Sequence, residues 1–240
     1  MRNLTVISSI TLVLCSLQAR AQVTEVFDNA WSECDVAALK GGEWVELEAL
    51  VEYPGMSVPS KKARNACVKV DADYVWIESS VADQVTCYQI ARKDRRVLKA
   101  WKGNAGEEGK ELTVKPAPVE GPTPAAGSEC AGTGKISKEK ISFGGKDYEC
   151  EKVEVDQVMK MSGMEIKSRT TTWYSDGYPF KFYIDPDAKP APAKDSIKWE
   201  GDGPSKKGGI VKMVTETNGG KSTTQVIATG TDAKPTLKLK

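Results

Sequence analysis

The chain contains no histidine. That absence removes the usual general base near neutral pH and the commonest metal ligand. Ser-His-Asp and Cys-His nucleophile systems are excluded with it. No Cys-x-x-Cys occurs among the six cysteines, so zinc and thioredoxin-like chemistry find no motif. No apolar run reaches the ~20 residues that span a bilayer, so no transmembrane segment is expected. A basic surplus is also missing: 34 Lys and Arg stand against 33 Asp and Glu. Binding to nucleic acid, or to an anionic membrane by bulk charge, is therefore disfavoured. Carboxylate pairs of the glycosidase kind stay formally open, because acidic residues abound, but nothing singles out a pair. No cofactor, metal or catalytic residue is expected.

What is present begins with an export signal. Arg2 supplies the positive start, residues 4–17 form a short and largely apolar run, and Ala19-Arg20-Ala21 gives the small-x-small pattern of a cleavage site. Residues 1–21 read as a cleaved signal peptide, leaving Gln22 first and the protein periplasmic or secreted. A lipoprotein signal ending at Cys15 is disfavoured by Leu14, where a small residue is usual. Loss of Arg2 and Arg20 lowers the basic count from 34 to 32 against 33 acidic residues, a net charge near −1. Cys34, Cys67, Cys87, Cys130 and Cys150 survive, and an oxidising compartment favours pairing. Cys130 and Cys150 are the only two of the late half, so a bridge between them is expected. It would pin residues 115–134, which are rich in Pro, Ala and Gly, to the strand that follows. Cys34, Cys67 and Cys87 would then compete and leave one free thiol.

Residues 22–240 read as one β-rich domain, with 115–134 as an insertion or linker between an early and a late group of strands. One helix is expected near the start. Phe27, Ala30, Trp31, Cys34, Ala37 and Ala38 recur at helical spacing, and Gly41-Gly42 stops the run. Beyond it, Val45, Leu47, Ala49 and Val51 alternate with Glu46, Glu48, Leu50 and Glu52, the pattern of a half-buried strand. Turns at Asp71-Ala72-Asp73 and Lys93-Asp94 join strands near 66–70, 74–78, 85–92 and 95–101.

Two hairpins can be tested by register. A two-residue loop at Asn218-Gly219 sets Glu216 against Lys221, Val211 against Val226 and Ile210 against Ile227. A loop at Gly144-Gly145 sets Ile141 against Tyr148, Lys140 against Glu149, Lys138 against Glu151 and Ile136 against Val153. Asp176-Gly177 marks a third hairpin, between 170–175 and 178–184. The Met159, Met161 and Met164 stretch reads as a further tip around Ser162-Gly163, and 185–194 as a Pro/Ala-rich loop. Arg92, Lys93, Arg95 and Arg96 read as a solvated turn. Gly201-Asp202-Gly203 and Gly132-Thr133-Gly134-Lys135 lack the full phosphate-loop spacing. Asp185-Pro186-Asp187 and Asp71-Ala72-Asp73 lack the remaining ligands of a calcium loop.

The most distinctive segment is Thr172-Trp173-Tyr174-Ser175-Asp176-Gly177-Tyr178-Pro179-Phe180-Lys181. It resembles the Trp–turn–Gly-x-Pro hairpin of the periplasmic lipoprotein-carrier superfamily, the LolA-like and LolB-like proteins. The resemblance implies a mainly β fold: a curved antiparallel meander, half-barrel-like, with one N-terminal helix and a concave apolar face for acyl chains. It implies a non-enzymatic protein that binds an apolar ligand, a lipid or a lipoprotein. The alternatives are an envelope interaction domain without a small ligand and, last, a carboxylate enzyme. Of the six tryptophans, Trp44, Trp76, Trp101 and Trp173 are the candidate ligand contacts; core packing is their plainer role.

Overall fold

Alternation of apolar and polar residues in the middle of the chain becomes a single run of paired strands. The computed structural model describes residues 24–118, 129–161, 164–184, 196–205, 207–217 and 219–239. Residues 1–23, where the export signal is expected, and residues 185–194 lie outside them. The strands are β1 (Glu25–Phe27), β2 (Trp44–Tyr53), β3 (Met56–Val70), β4 (Tyr74–Val81), β5 (Gln84–Ala91), β6 (Val97–Asn104) and β7 (Lys110–Lys115). The late group is β8 (Glu129–Phe143), β9 (Lys146–Met161), β10 (Met164–Ser175), β11 (Ser196–Trp199), β12 (Gly209–Thr217) and β13 (Gly220–Gly230). They form one 13-stranded sheet in the order β1-β7-β6-β5-β4-β3-β2-β13-β12-β10-β9-β8-β11. Only the two edge pairs, β1 with β7 and β11 with β8, are parallel. The early and late groups join where β2 pairs with β13, Trp44 opposite Gly230 and Glu52 opposite Lys221.

The sheet is coiled. Three steps separate β9 from β13, which would be about 14 Å in a flat sheet at ~4.8 Å per step. Yet the Tyr148 hydroxyl lies 3.4 Å from Thr229 Oγ1. A Cβ on Gly144 would stand 2.7 Å from the Ile227 carbonyl, so the β8–β9 tip folds back onto β13. A β-bulge at Trp173/Tyr174 in the β10–β12 pairing falls between these strands, and another at Val226/Ala228 lies where β13 meets β2; extra residues increase local twist. The main core gathers Val45, Leu47, Cys67, Val75, Ile77, Ile90, Tyr148, Val211 and Val226. Each fully buried aliphatic side chain of this set contributes about 1.5–3 kcal/mol. Three glycines admit a cross-strand aromatic ring: Trp199 lies on Gly134, Trp44 on Gly230 and Tyr53 on Gly220.

The Gly144-Gly145 register holds throughout, and the Asn218-Gly219 register holds as far as the β12–β13 ladder runs, to Lys212 opposite Gln225, short of the expected Val211–Val226 and Ile210–Ile227 pairs. β8 and β9 place Ile141 opposite Tyr148, Lys140 opposite Glu149, Lys138 opposite Glu151 and Ile136 opposite Val153. β12 and β13 place Glu216 opposite Lys221 and Lys212 opposite Gln225, although Asn218 itself lies outside the described residues. The β9–β10 pairing brings Ile166 opposite Met159 around a tip whose Ser162-Gly163 is likewise outside them.

Four expectations need correction. No α-helix forms among the described residues; 28–39 is a chain of tight turns with one 3-10 turn at Val36–Ala38. The groups a helix would use are taken across the chain, where the Asp35 N–H donates to the Lys181 carbonyl at 2.8 Å and Glu33 accepts from the Tyr183 N–H at 2.7 Å. Residues 178–184 are not a returning hairpin strand, because both edges of β10 are already occupied by β9 and β12. They cross to the N-terminal segment instead, with Phe182 bridged to Cys34, and bury Tyr178 and Phe180 in the main core beside Trp31. Residues 129–134 of the supposed linker belong to β8; 119–128 lie outside the described residues.

The fourth correction concerns the cysteines. Cys130 stands opposite Met159, and Cys150 stands opposite Glu139. They are nine positions apart along this ladder, roughly 30 Å at ~3.3 Å per residue, where a disulfide tolerates about 7 Å. No disulfide is present among the described residues. The arginine turn also does more than face solvent. Arg92 donates to the Ala37 and Asp71 carbonyls, Arg95 to Ser32, and Arg96 pairs with Asp28, so the turn stitches the N-terminal segment to the sheet.

Candidate binding cleft

The four candidate tryptophans do not share one cavity. Trp44 is spent on structure: its indole N–H donates to Asp232 at 2.8 Å, and the Arg64 guanidinium lies 5.0 Å from its ring. Trp173 is buried in the main core, donates to Glu139 at 3.1 Å, and has Lys152 and Lys212 over its ring. Trp76 and Trp101 are brought together in a second cluster with Val85, Cys87 and Leu237. Register shows that this cluster lies on the opposite face of the sheet from the main core. Glu78, Cys87 and Trp101 form one cross-strand row, and the adjacent row, Ile77, Tyr88 and Ala100, belongs to the main core.

The chain's C-terminal segment covers this second face. Residues 231–239 run along the β6–β7 connection as a strap. Its backbone bonds tie Gly106 to Thr236, and Gly109 and Glu107 to Lys238, at 2.8–2.9 Å. Glu78, 3% exposed, is the anchor. Its carboxylate accepts the Thr236 and Leu237 amides at 3.0 Å and the Thr236 hydroxyl at 2.6 Å. A buried carboxylate is tolerable only with such donors. Leu237 then fills the space left open by Gly103 and Gly109, where a Cβ would collide with its side chain.

Beside the strap remains a cleft of about 460 Å³. Trp76, Trp101, Leu237 and Leu239 supply apolar walls; Lys69, Gln89 and Lys99 supply polar groups. The Lys69 ammonium lies 4.3 Å from the Trp76 ring centre. Burial pushes the Cys87 thiol at the floor up to about 12, with the nearby Glu78 adding to the rise, so it stays protonated at neutral pH. Sequence reasoning named the two tryptophans and missed Glu78, Lys69, Lys99 and the strap. A signal for the strap exists in Pro235-Thr236-Leu237-Lys238-Leu239, whose alternating leucines read as a strand.

A second concavity, of about 990 Å³, lies at the far ends of β8–β10 and β12–β13. Its wall carries an alternating row of charges. Asp156 faces Arg169, Arg169 faces Glu216, Glu216 faces Lys221, and Lys221 faces Glu52. The Asp156–Arg169 pair is 2.7 Å long and solvent-exposed. Such pairs contribute under about 1 kcal/mol each, and their regular alternation mainly favours this strand register. Among the described residues, no group of three or more His, Cys, Asp or Glu is placed to hold a metal ion. No helix among them is long and apolar enough to cross a membrane.

No protein-family model matches the chain, and no curated protein matches it. Three solved structures are distantly similar. A candidate exported protein with a YmcC-like fold from Bacteroides fragilis has 9% identity and a TM-score of 0.31 over 80% of this chain and 97% of its own. A candidate lipoprotein from Parabacteroides distasonis gives 9%, 0.31, and 80% and 96%. A DUF1329 family protein from Desulfovibrio piger gives 11%, 0.27, and 95% and 93%.

Proposed function

We propose that this is an exported, non-catalytic binding protein that holds a ligand with an apolar body in the Trp76–Trp101 cleft. The observation that carries the reading is the convergence of two half-buried tryptophans, two leucines of the strap and three polar side chains on one concave patch. Ligand sites commonly combine apolar walls with a few placed polar groups. Export rests on Arg2, the apolar run and Ala19-Arg20-Ala21. The non-catalytic reading is supported by the lack of histidine and by the titrating groups themselves. Burial moves Cys67 up to about 12, Cys150 up to about 11 and Tyr174 up to about 12, away from the range where acid–base work is done.

The ligand is assigned to this cleft and not to the main-core face. There the chain's own Tyr148, Trp173, Tyr178 and Phe180 are buried together. The test is a titration with N-phenyl-1-naphthylamine, a neutral apolar fluorophore. One saturable site is expected, weakened at least tenfold by Trp101→Ala. No binding, or binding indifferent to both Trp76→Ala and Trp101→Ala, would refute it.

A second reading is an interaction domain without a small ligand. Tyr53 and Met56, more than half exposed at the β2–β3 tip, favour it. Chemical cross-linking in the host envelope that captures one partner at this tip, lost in Tyr53→Ser with Met56→Ser, would support it.

A further inference from the structure

We propose that the ligand of this cleft is an amphiphilic anion, its apolar body against Trp101, Leu237 and Leu239 and its anionic head between Lys69 and Lys99. The proposal rests on the binding role assigned above and adds the charge of what is bound.

Two adjacent strand rows divide the patch into unlike halves. The row Glu78–Cys87–Trp101 is closed over by the strap and is apolar apart from Glu78. The other row runs Lys69–Trp76–Gln89–Lys99 across β3, β4, β5 and β6. Its two lysines are three strand steps apart, about 14 Å at the backbone, and bracket Trp76 and Gln89. The Lys69 ammonium leans inward over the indole face of Trp76 at 4.3 Å. A head placed over Trp76 and Gln89 would meet an ammonium from each side and an amide from below.

The charge of this half is not neutralised by the protein. Glu78 is the only carboxylate side chain lining the cleft among the described residues, and its oxygens are occupied by the Thr236 and Leu237 donors. Among the described residues neither Lys69 nor Lys99 makes an ion pair. Elsewhere on the sheet some lysines meet a carboxylate, as Lys62 meets Glu46 and Lys140 meets Asp147, and many do not; what sets Lys69 and Lys99 apart is that both border the apolar slot. Two unpaired ammoniums bordering an apolar slot are complementary to a ligand with one charged end. A neutral apolar molecule would use only half of the surface.

The experiment compares dodecyl phosphate with dodecanol, below their aggregation limits, by competition against the fluorophore. Exposed charge contacts give roughly 2- to 5-fold each, so two lysines predict about a tenfold preference for the phosphate at low salt. The preference should fall toward unity at ~1 M salt, where the screening length is about 3 Å. Lys99→Gln should reduce it several-fold, and Lys69→Gln with Lys99→Gln should abolish it, read within each variant as the ratio of the two probes' affinities. Both lysines are exposed, so the fold should survive, which circular dichroism checks. Equal binding of the two probes by the native protein would overturn the anionic assignment and leave the cleft standing. Binding of neither probe, or binding insensitive to both Trp76→Ala and Trp101→Ala, would overturn both.

Discussion

Replacement of Glu78 by alanine tests the anchor of the C-terminal strap. The substitution removes one acceptor group that serves two amides at 3.0 Å and a hydroxyl at 2.6 Å, in a site 3% exposed. Hydrogen bonds to a charged group contribute about 1.5–3 kcal/mol each, so losing three suggests roughly 5–9 kcal/mol. That sum is a ceiling, because the strap can leave. Once it detaches, the Thr236 and Leu237 amides are hydrated, and the cost becomes the free energy of docking. Docking comprises burial of Leu237, about 1.5–3 kcal/mol, and several backbone bonds near 1 kcal/mol each. Ordering the segment opposes these with about 1–2 kcal/mol per residue.

The expected outcome is a global loss well below that ceiling, within the about 0.5–3 kcal/mol usual for single substitutions, in urea unfolding. Amide-exchange protection at Leu237 and Lys238 should collapse to that of a free tail. The main core should keep protection differing only by the global loss. Glu78→Gln, which keeps one carbonyl acceptor, should fall between the two. Unchanged protection of the strap amides in Glu78→Ala would refute the anchoring argument. So would a global loss below about 0.5 kcal/mol.

Three other outcomes follow from local geometry. Gly144 and Gly145 both have positive φ, +56° and +74°, but only Gly144 has a carbonyl 2.7 Å from its missing Cβ. Gly145→Ala should cost about 1 kcal/mol and Gly144→Ala clearly more, read as the difference in thermal midpoints. The Ala117 amide, and then the Arg96 guanidinium, hold the Asp28 carboxyl below its ordinary value of 3.8. A depressed value means stabilisation that is full above pH 3.8 and lost as pH falls through the folded value. The N-terminal segment should therefore loosen below about pH 4, seen as exposure of Trp31 in fluorescence quenching, and Asp28→Asn should flatten that dependence. Finally, Cys67 and Cys87 are fully buried thiols raised to about 12. Iodoacetamide at pH 8 should leave both unmodified until the protein is unfolded, and a non-reducing peptide map should show no Cys130–Cys150 link.

The sequence by itself determined what is decided within a few neighbouring residues. Gly144-Gly145 set the entire β8–β9 register because a two-residue turn leaves one pairing, and a slip by one would turn Ile141 and Tyr148 to the wrong face. The β2 strand was legible because Val45, Leu47 and Ala49 alternate with charged residues and are buried as a set. Strand partners across long separations were not legible. Nothing around Trp44 points to Gly230, since backbone pairing carries little side-chain code and the match is decided by which edges remain unused. The same competition removed the N-terminal helix and the third hairpin: 28–39 and 178–183 hydrogen-bond to each other once β9 and β12 have filled both edges of β10. The cleft belongs wholly to the tertiary level. Trp76 and Glu78 share β4, but Trp101 and Leu237 lie far from them in the chain. They meet because meander register aligns β4, β5 and β6, and because a buried carboxylate needs donors that only the returning strap supplies.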